Sequence, residues 1–547
     1  MSNRRAQIGL LSILLLLAPL ALWATTSSNP VLLGDGDRLL VLAPHPGDET
    51  LATGGLIQEA IGLDLPIRIC FFTMGDNNEV ASLFTRNHPS MIPGAMRPSG
   101  RQRHKEALAA SQQLGVSTND VVFLGYPDSG TLDIWQKHWR EIPPYRSPLT
   151  RANAVPYQQA LTPGSAHAGE DILDDLEEVI CDFQPTHIAV SHPADHNVDH
   201  RALYLFTRVV LWNLAEEGFA PQLLVYPAHF TQWPQPRGLK LRHANAAPYY
   251  FDGQITWQEY VLAPFQVSNK LAAIRRHHSQ YQHAAAYVNP LIRRNEWFGD
   301  FDPIALPDGQ GQADIVEEDA THFHIDPALL QELSRDSDQW AALMDQHAKE
   351  NQVLAESDNS MIHRTITGDG TSLTLTFQFL HPVETPSVFT ISLYGYRFDT
   401  SFGEMPKIEI ESRREQILAV RNLKEKLPKS TVQLIPADDD QISVSIPFEA
   451  LGNPQKICFG ARLTCESLPV DWVSWRLIDL ESHEEELPPP EEEIPADALE
   501  PDAPSPAPEL TESETPPPPP QPALVPRISL PRKPIRAKTE ADEPVFW

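Results

Sequence analysis

The stretch Ala43-Pro44-His45-Pro46-Gly47-Asp48-Glu49 decides how this chain is read. It follows an apolar run, 39–42, with the texture of a buried strand, and it precedes a helical pattern from about Thr50. An imidazole and two carboxylates therefore stand on a strand-to-helix loop, where parallel α/β sheets place their ligands. A second cluster, Asp195-His196-Asn197-Val198-Asp199-His200, follows another strand-like run. The two clusters read as halves of one metal site.

Outward from that loop, strand and helix patterns alternate from Arg38 to about Phe298. Strands are expected at 39–42, 67–73, 121–124, 187–190 and 223–226, and helices near 51–61, 101–114, 171–181 and 199–217. Such alternation predicts a Rossmann-like, mostly parallel sheet covered by helices on both faces. The insert 131–167 is rich in Pro, Tyr and Trp and lacks periodicity, so it is expected as a substrate-facing loop. Asp326-Pro327 has the form of a helix start and opens an apolar-periodic segment carrying Leu330, Leu333, Trp340 and Leu343.

From about Met361 the pattern changes to period two. Leu373, Leu375, Phe377 and Phe379 alternate with Thr and Gln, and Ile442, Val444 and Ile446 alternate with Ser. Repeated runs of this kind predict a β-sandwich. From His483 the chain is Glu/Pro-rich, then Pro-rich, then basic, a composition that cannot bury enough apolar surface to fold. That tail is expected as a solvated spacer, or as a reach to a cell wall or another protein.

At the other end, Arg4 and Arg5 precede an apolar run, 8–23, broken only by Ser12 and Pro19. The pattern is that of a secretory signal, with Ala24 at the cleavage point; Leu22 is a poor match at the −3 position, which leaves an uncleaved membrane anchor as the alternative. Either way the expected location is extracytoplasmic: secreted, periplasmic or membrane-anchored. The net charge of −31 argues against a nucleic-acid partner, which needs neutralising Lys and Arg. Four cysteines are too few for a disulfide framework, although Cys458 and Cys465 could bridge in an oxidising compartment.

The expected organisation is a signal peptide or anchor over 1–24, an α/β domain over 36–300 and a helical connector over 301–357. A β-sandwich over 358–481 and a disordered Glu/Pro-rich tail over 482–547 follow.

Zinc is commonly held by His nitrogen and carboxylate oxygen, with one position left open in catalytic sites. His45 and Asp48, three apart on one tight loop, can turn toward one point, and His200 can join them from the start of its helix. A divalent metal there would activate water and polarise a carbonyl, the chemistry of amide or ester hydrolysis. Arg103 and Glu106, one helical turn apart, read either as a substrate contact or as an ion pair. Asp76 and Asp128 stand just after strands, where they line a pocket or cap a turn. His277, His278 and His283 sit in a polar, Arg-flanked stretch and are expected on a solvated face.

Several landmarks now stand in order. They are Pro44-His45-Pro46-Gly47-Asp48-Glu49-Thr50, Gly54-Gly55, Thr73-Met74-Gly75-Asp76 and Arg103-x-x-Glu106 leading into Leu114-Gly115-Val116. Leu124-Gly125-Tyr126-Pro127-Asp128, Asp199-His200-Arg201-Ala202 and Arg294-Asn295-Glu296-Trp297-Phe298 follow. Over about 38–298 the chain resembles the LmbE-like, or GlcNAc-phosphatidylinositol de-N-acetylase (PIG-L), family. The resemblance implies a Rossmann-like fold, Zn2+ or another divalent metal, and removal of acetyl groups from N-acetylated sugars or glycans. It implies metal ligands at His45, Asp48 and His200. Arg103, Asp76 and Asp128 are the expected substrate contacts on their own placement.

Two positions depart from the family pattern. Its usual motif is His-Pro-Asp-Asp-Glu, whose first Asp is the general base, and here that position is Gly47. The later motif often has a His, which assists the oxyanion or leaving group, where this chain has Asn197. Glu49, Asp195 and Asp199 remain as candidate bases, Asp199 also suiting the orientation of a ligand histidine, and Asn197 as an oxyanion donor. The expected activity is therefore metal-dependent N-deacetylation; the alternative is a weakened relative that binds glycan or cell envelope without turnover. Separately, the segment 442–452 resembles the late strands of sugar-binding sandwich modules of the DOMON or family-nine carbohydrate-binding type.

Overall fold

The first strand, β1 (Leu39–Ala43), is buried along its whole length because it is the middle strand of a parallel sheet. Its sequence, Leu-Leu-Val-Leu-Ala, is apolar on both faces, as a sheet covered by helices on both sides requires. The structure, a computed structural model, describes residues 31–77, 96–140, 143–230, 233–248, 251, 253–316, 359–465 and 468–481. The expectations for 1–24, for the helical segment after Asp326 and for the tail from 482 lie outside the described residues.

After β1 come α1 (Asp48–Gly62), β2 (Ile67–Thr73), α2 (Met96–Leu114), β3 (Val121–Tyr126) and α3 (Thr131–Lys137). Then follow α4 (Gly169–Phe183), β4 (His187–Ser191), α5 (Val198–Ala215) and β5 (Gln222–Tyr226). The sheet order is β3-β2-β1-β4-β5, with all neighbours parallel. Leu39 pairs with Ile67 on one side and His187 on the other, so the connectivity reverses direction at β1. Both clusters of the sequence therefore leave the sheet at the carboxyl ends of adjacent strands, on either side of the switch point that forms the binding crevice of such folds. A small antiparallel pair, β6 (Gln258–Val261) and β7 (Asn295–Phe298), brackets α6 (Pro264–Ile274) and α7 (His278–Val288).

The period-two region forms two largely antiparallel sheets. One has the order β16-β17-β11-β10-β9, built from β9 (Gln310–Val316), β10 (Met361–Asp369), β11 (Ser372–Phe379), β16 (Gln433–Ile435) and β17 (Gln441–Pro447). The other runs β15-β14-β13-β12-β18-β19-β8. Its strands are β8 (Ile304–Ala305), β12 (Ser387–Tyr396), β13 (Lys407–Arg413), β14 (Gln416–Asn422), β15 (Glu425–Leu427), β18 (Lys456–Cys465) and β19 (Leu468–Asp479). Leu373, Leu375 and Phe377 of the first sheet share one apolar core with Phe389, Ile391 and Leu393 of the second. Residues 304–305 and 310–316, expected within a helical connector, are strands of this domain instead. Gln310–Val316 pairs along β10, which supplies the hydrogen bonds that a helix would have made internally. Cys458 and Cys465 are free. They sit seven residues apart on β18, about 23 Å at the rise of an extended strand, so no bridge can join them.

On β12 both faces are buried. Phe389, Ile391 and Leu393 point into the shared core, while Tyr394 and Tyr396 pack on the first domain. This explains the Trp-rich insert. Instead of a loop throughout, it begins as α3, and its Trp135 and Trp139 are fully buried. Trp135 lies 5.1 Å from Phe206 of α5 and 5.7, 5.3 and 6.2 Å from Tyr394, Phe402 and Trp475 of the second domain, measured between ring centroids. Leu132, Ile134 and Trp135 of α3 are buried, while Asp133 and Lys137 pair on its exposed side.

Candidate metal centre

The loop 44–47 turns tightly because its backbone and side chains bond to one another. Asp48 Oδ2 accepts the His45 N–H (3.0 Å), the His45 carbonyl accepts the Asp48 N–H (3.2 Å), and the Gly47 carbonyl accepts the Leu51 N–H (2.9 Å). Gly47 caps α1 with φ at 121°, a conformation that side-chain-bearing residues rarely adopt. The turn brings His45 Nδ1 to 3.3 Å from Asp48 Oδ2. From the other strand end, Asn197 caps α5 by accepting the Asp199 N–H (2.8 Å), which places His200 in the first turn. Its Nε2 lies 3.0 Å from the same Asp48 Oδ2. His45, Asp48 and His200 are buried, and their donor atoms all lie within 4.8 Å of one another.

Burial opposes charge on Asp48, but His200 foremost, with His229 and His45, holds its carboxyl well below the usual range. Burial likewise works against a charged His200, and Asp195 and Asp48 overcome it, raising the imidazole to about 9. Neither ring nitrogen of His200 has hydrogen-bond geometry, although carboxylate oxygens stand at 3.0 and 3.2 Å. Donor atoms that converge without sharing a proton in good geometry fit a cation between them, and two nitrogens with one carboxylate suit zinc or another divalent ion.

Each histidine of the trio is backed by a carboxylate. Asp199 Oδ2 lies 2.9 Å from His45 Nε2 and also accepts the Ser129 N–H (2.6 Å), while Oδ1 accepts from Thr131 N (3.2 Å) and Oγ1 (2.5 Å). Asp195 Oδ2 lies 3.2 Å from His200 Nδ1 and accepts the His229 N–H (2.9 Å), and its Oδ1 accepts the Asn197 N–H (2.8 Å). A second close group, His45, Asp128 and Asp199, has the same kind of donors. Its carboxylates are already taken, Asp128 by the Asn77 N–H (3.0 Å) and the Ser129 hydroxyl (3.2 Å), so it supports the first group. Partners that orient metal ligands typically matter 10–100-fold in affinity, and Asp195→Asn is accordingly expected to weaken metal binding by about that factor. Chelator competition on the folded variant checks it; unchanged affinity would remove Asp195 from this role.

Glu49 and Asp199, both candidate bases from sequence, have other tasks here. The Glu49 carboxylate accepts from Gly47 N (2.7 Å) and Thr50 Oγ1 (2.6 Å), lies 3.1 Å from His277 Nε2, and is not part of the converging group. Arg103 donates to the carbonyls of Gly75 (2.7 Å) and Pro46 (2.8 Å), tying the loop after β2 to the loop after β1. Gly75, with φ at 62°, is needed there, since a Cβ would fall 2.3 Å from the Arg103 guanidinium carbon. Glu106 accepts the Ser279 N–H and hydroxyl at the start of α7. Asp76 receives a hydrogen bond from Tyr157 of the insert, and burial together with the neighbouring Asp128 lifts its carboxyl to about 7.

Three contributors escaped the sequence reading. His277, expected on a solvated face, is buried against Glu49, because the turn between α6 and α7 faces α1 and α2. His278 is exposed as expected. His229 packs on His200 (4.6 Å between ring centroids), with Nε2 3.6 Å from Asp48 Oδ1 and Nδ1 2.5 Å from the Tyr287 hydroxyl. It follows β5 by three residues on the same sheet edge as the other two clusters, and that position was the available signal. Tyr157 had none, since its partner Asp76 lies 81 residues away.

The family model for PIG-L, described as GlcNAc-PI de-N-acetylase, matches residues 40–211. Those residues form a PIG-L family domain. The matched segment contains all but the first residue of β1, both clusters and most of α5. Among curated relatives, a 1D-myo-inositol 2-acetamido-2-deoxy-alpha-D-glucopyranoside deacetylase 1 of Saccharopolyspora erythraea is 30% identical over 169 residues, 30% of this chain and 48% of that protein. A deacetylase of the same description from Mycobacterium sp. strain KMS is 32% identical over 122 residues, 22% of this chain and 38% of that protein. The chain thus spans half or less of the curated relatives' length. Among solved structures, the N,N'-diacetylchitobiose deacetylase from Pyrococcus horikoshii aligns with TM-score 0.30 and 16% identity, covering 48% of this chain and 83% of that one.

Proposed function

We propose that this protein is a metal-dependent N-deacetylase of N-acetylated sugars or glycans, with zinc or another divalent cation held by His45, Asp48 and His200. The observation that carries the reading is the buried convergence of those three donors at the switch point of a PIG-L domain. A cation there supplies Lewis acidity toward an acetamide carbonyl and makes water nucleophilic at neutral pH. In the hydrolysis, water adds to the acetyl carbon, the C–N bond breaks, and acetate and a protonated sugar amine leave. Asp199 and Asp195 hold the two histidines. Asn197 uses its Oδ1 as a helix cap, and its Nδ2–H remains for a developing oxyanion. Asp76, uncharged for part of its population near neutrality, can both donate to and accept from sugar hydroxyls.

The test is acetate release by the full chain from N-acetylglucosamine-containing glycans, with Zn2+ supplied or chelated. Release that chelation and His45→Ala both abolish is the expected result; release that persists in His45→Ala would overturn it. One observation favours the second reading, glycan binding without turnover. The Pro46–Gly47 turn carries no side chain at the family's base position, and Glu49 is committed elsewhere. Glycan binding by the wild type with no acetate released would assign it that role.

A further inference from the structure

We propose that Trp472, on β19 of the second domain, is a positioning residue for the metal loop of the first, fixing 195–200 and with it His200. The inference rests on the reading of His45, Asp48 and His200 as metal ligands.

Helix α5 lies between the parallel sheet and the seven-stranded sheet, and the second domain touches it at three levels. At its far end Trp212 stacks near Tyr396 (5.0 Å). At mid-length Phe206 meets Trp135 and Trp139, which in turn meet Phe402. At its start the ring contact is made by Trp472. The Trp472 ring lies 4.1 Å from the guanidinium carbon of Arg201 and 5.8 Å, edge-on at 88°, from the ring of His196. Those two residues bracket His200: Arg201 follows it directly, and His196 opens the loop that leads into it. The inner side of this loop is held by Asp195 and by the His196 N–H donating to the His229 carbonyl (3.3 Å). On the outer side Trp472 contacts both Arg201 and His196.

Trp472 is itself held in place. Its backbone N–H donates to Asp471 Oδ1 (2.8 Å), and Asp471 Oδ2 accepts the Met361 N–H (2.8 Å) from the other sheet. Across the ladder it pairs with Arg462, whose Nη1 donates to Gln136 of α3 (3.4 Å). The charge of Arg201 is favoured by Asp195 and Asp199, the carboxylates behind the two ligand histidines, and opposed by Arg462. A guanidinium over an indole face is held there by cation–π attraction. Loss of the ring would remove a contact from Arg201 and from His196 together and loosen the approach of His200 to Asp48.

The experiment compares Zn2+ affinity, by chelator competition, and the visible absorption of the Co2+-loaded full chain for four variants beside the wild type. Trp472→Ala and Trp472→Leu are expected to lose about 10-fold in affinity, the lower end for residues that orient metal ligands, and to alter the Co2+ bands. Trp472→Phe, which keeps an aromatic face, is expected to restore most of it. Tyr396→Ala removes a ring from the same domain interface at the far end of α5; it is expected to lower the unfolding temperature and leave affinity unchanged. Equal affinity in wild type and Trp472→Leu would overturn the inference alone, as would an equal loss in Tyr396→Ala. Absence of Zn2+ binding by the wild type would overturn the metal reading and this inference with it. If Trp472→Ala does not fold, the Leu and Phe pair decides.

Discussion

Aspartate at position 47 is expected to raise acetate release by about 10²–10⁴-fold, the range a positioned general base contributes. Space is available, because a Cβ built on Gly47 meets no atom within 4 Å. The backbone is the obstacle. At φ 121° a side-chain-bearing residue is strained by about 1–3 kcal/mol, so Gly47→Asp is expected to unfold at lower temperature than the wild type. Gly47→Ala carries the same strain without a carboxylate, and is expected to lose stability with no gain in rate. Acetate release and thermal unfolding of the three proteins separate the two effects. A Gly47→Asp variant that folds and is no faster than Gly47→Ala would mean the missing carboxylate is not what limits turnover.

The second large effect concerns the joint between the domains. Trp135→Ala is expected to destabilise the protein by about 3–5 kcal/mol, the usual cost of truncating a large buried aromatic. Trp135 is fully buried between α5 and the seven-stranded sheet, so the cavity left behind would be walled by Phe206, Phe402, Tyr394 and Trp475, which belong to both domains. Neither side can close it without moving the other. Urea unfolding followed by fluorescence and by circular dichroism should therefore show both domains losing stability together. A shift confined to one of two separate transitions would contradict this coupling.

The parallel sheet and its trio of donors were legible because their signals are local. Each strand is a short apolar run, and His45 and Asp48 are three residues apart on one turn. His200 needed only the knowledge that neighbouring strands end on the same edge. What was not legible depends on contacts between distant segments. His277 stands beside two arginines and looks solvated, yet the turn that carries it is pressed onto Glu49. Arg103 and Glu106 have the spacing of an ion pair, but backbone carbonyls at Gly75 and Pro46 claim the arginine. The insert after Gly130 reads as structureless because α3 is only seven residues long, too short to display a sustained apolar repeat. Asp195 is a candidate base by sequence, and in the fold its Oδ2 stands 3.2 Å from the His200 ring it can orient.

Strands β8 and β9 lie before residue 317, whereas the change to a period-two pattern comes at about Met361. Gln310–Val316 covers the outer edge of β10, and Ile304-Ala305 extends the sheet beyond β19. A fragment begun at the change of pattern would carry two bare strand edges, rows of unpaired N–H and C=O groups that invite self-association. The second half of the chain is therefore not a cassette that can be cut where its sequence changes character. Its first stitches are sewn directly after the α/β half ends.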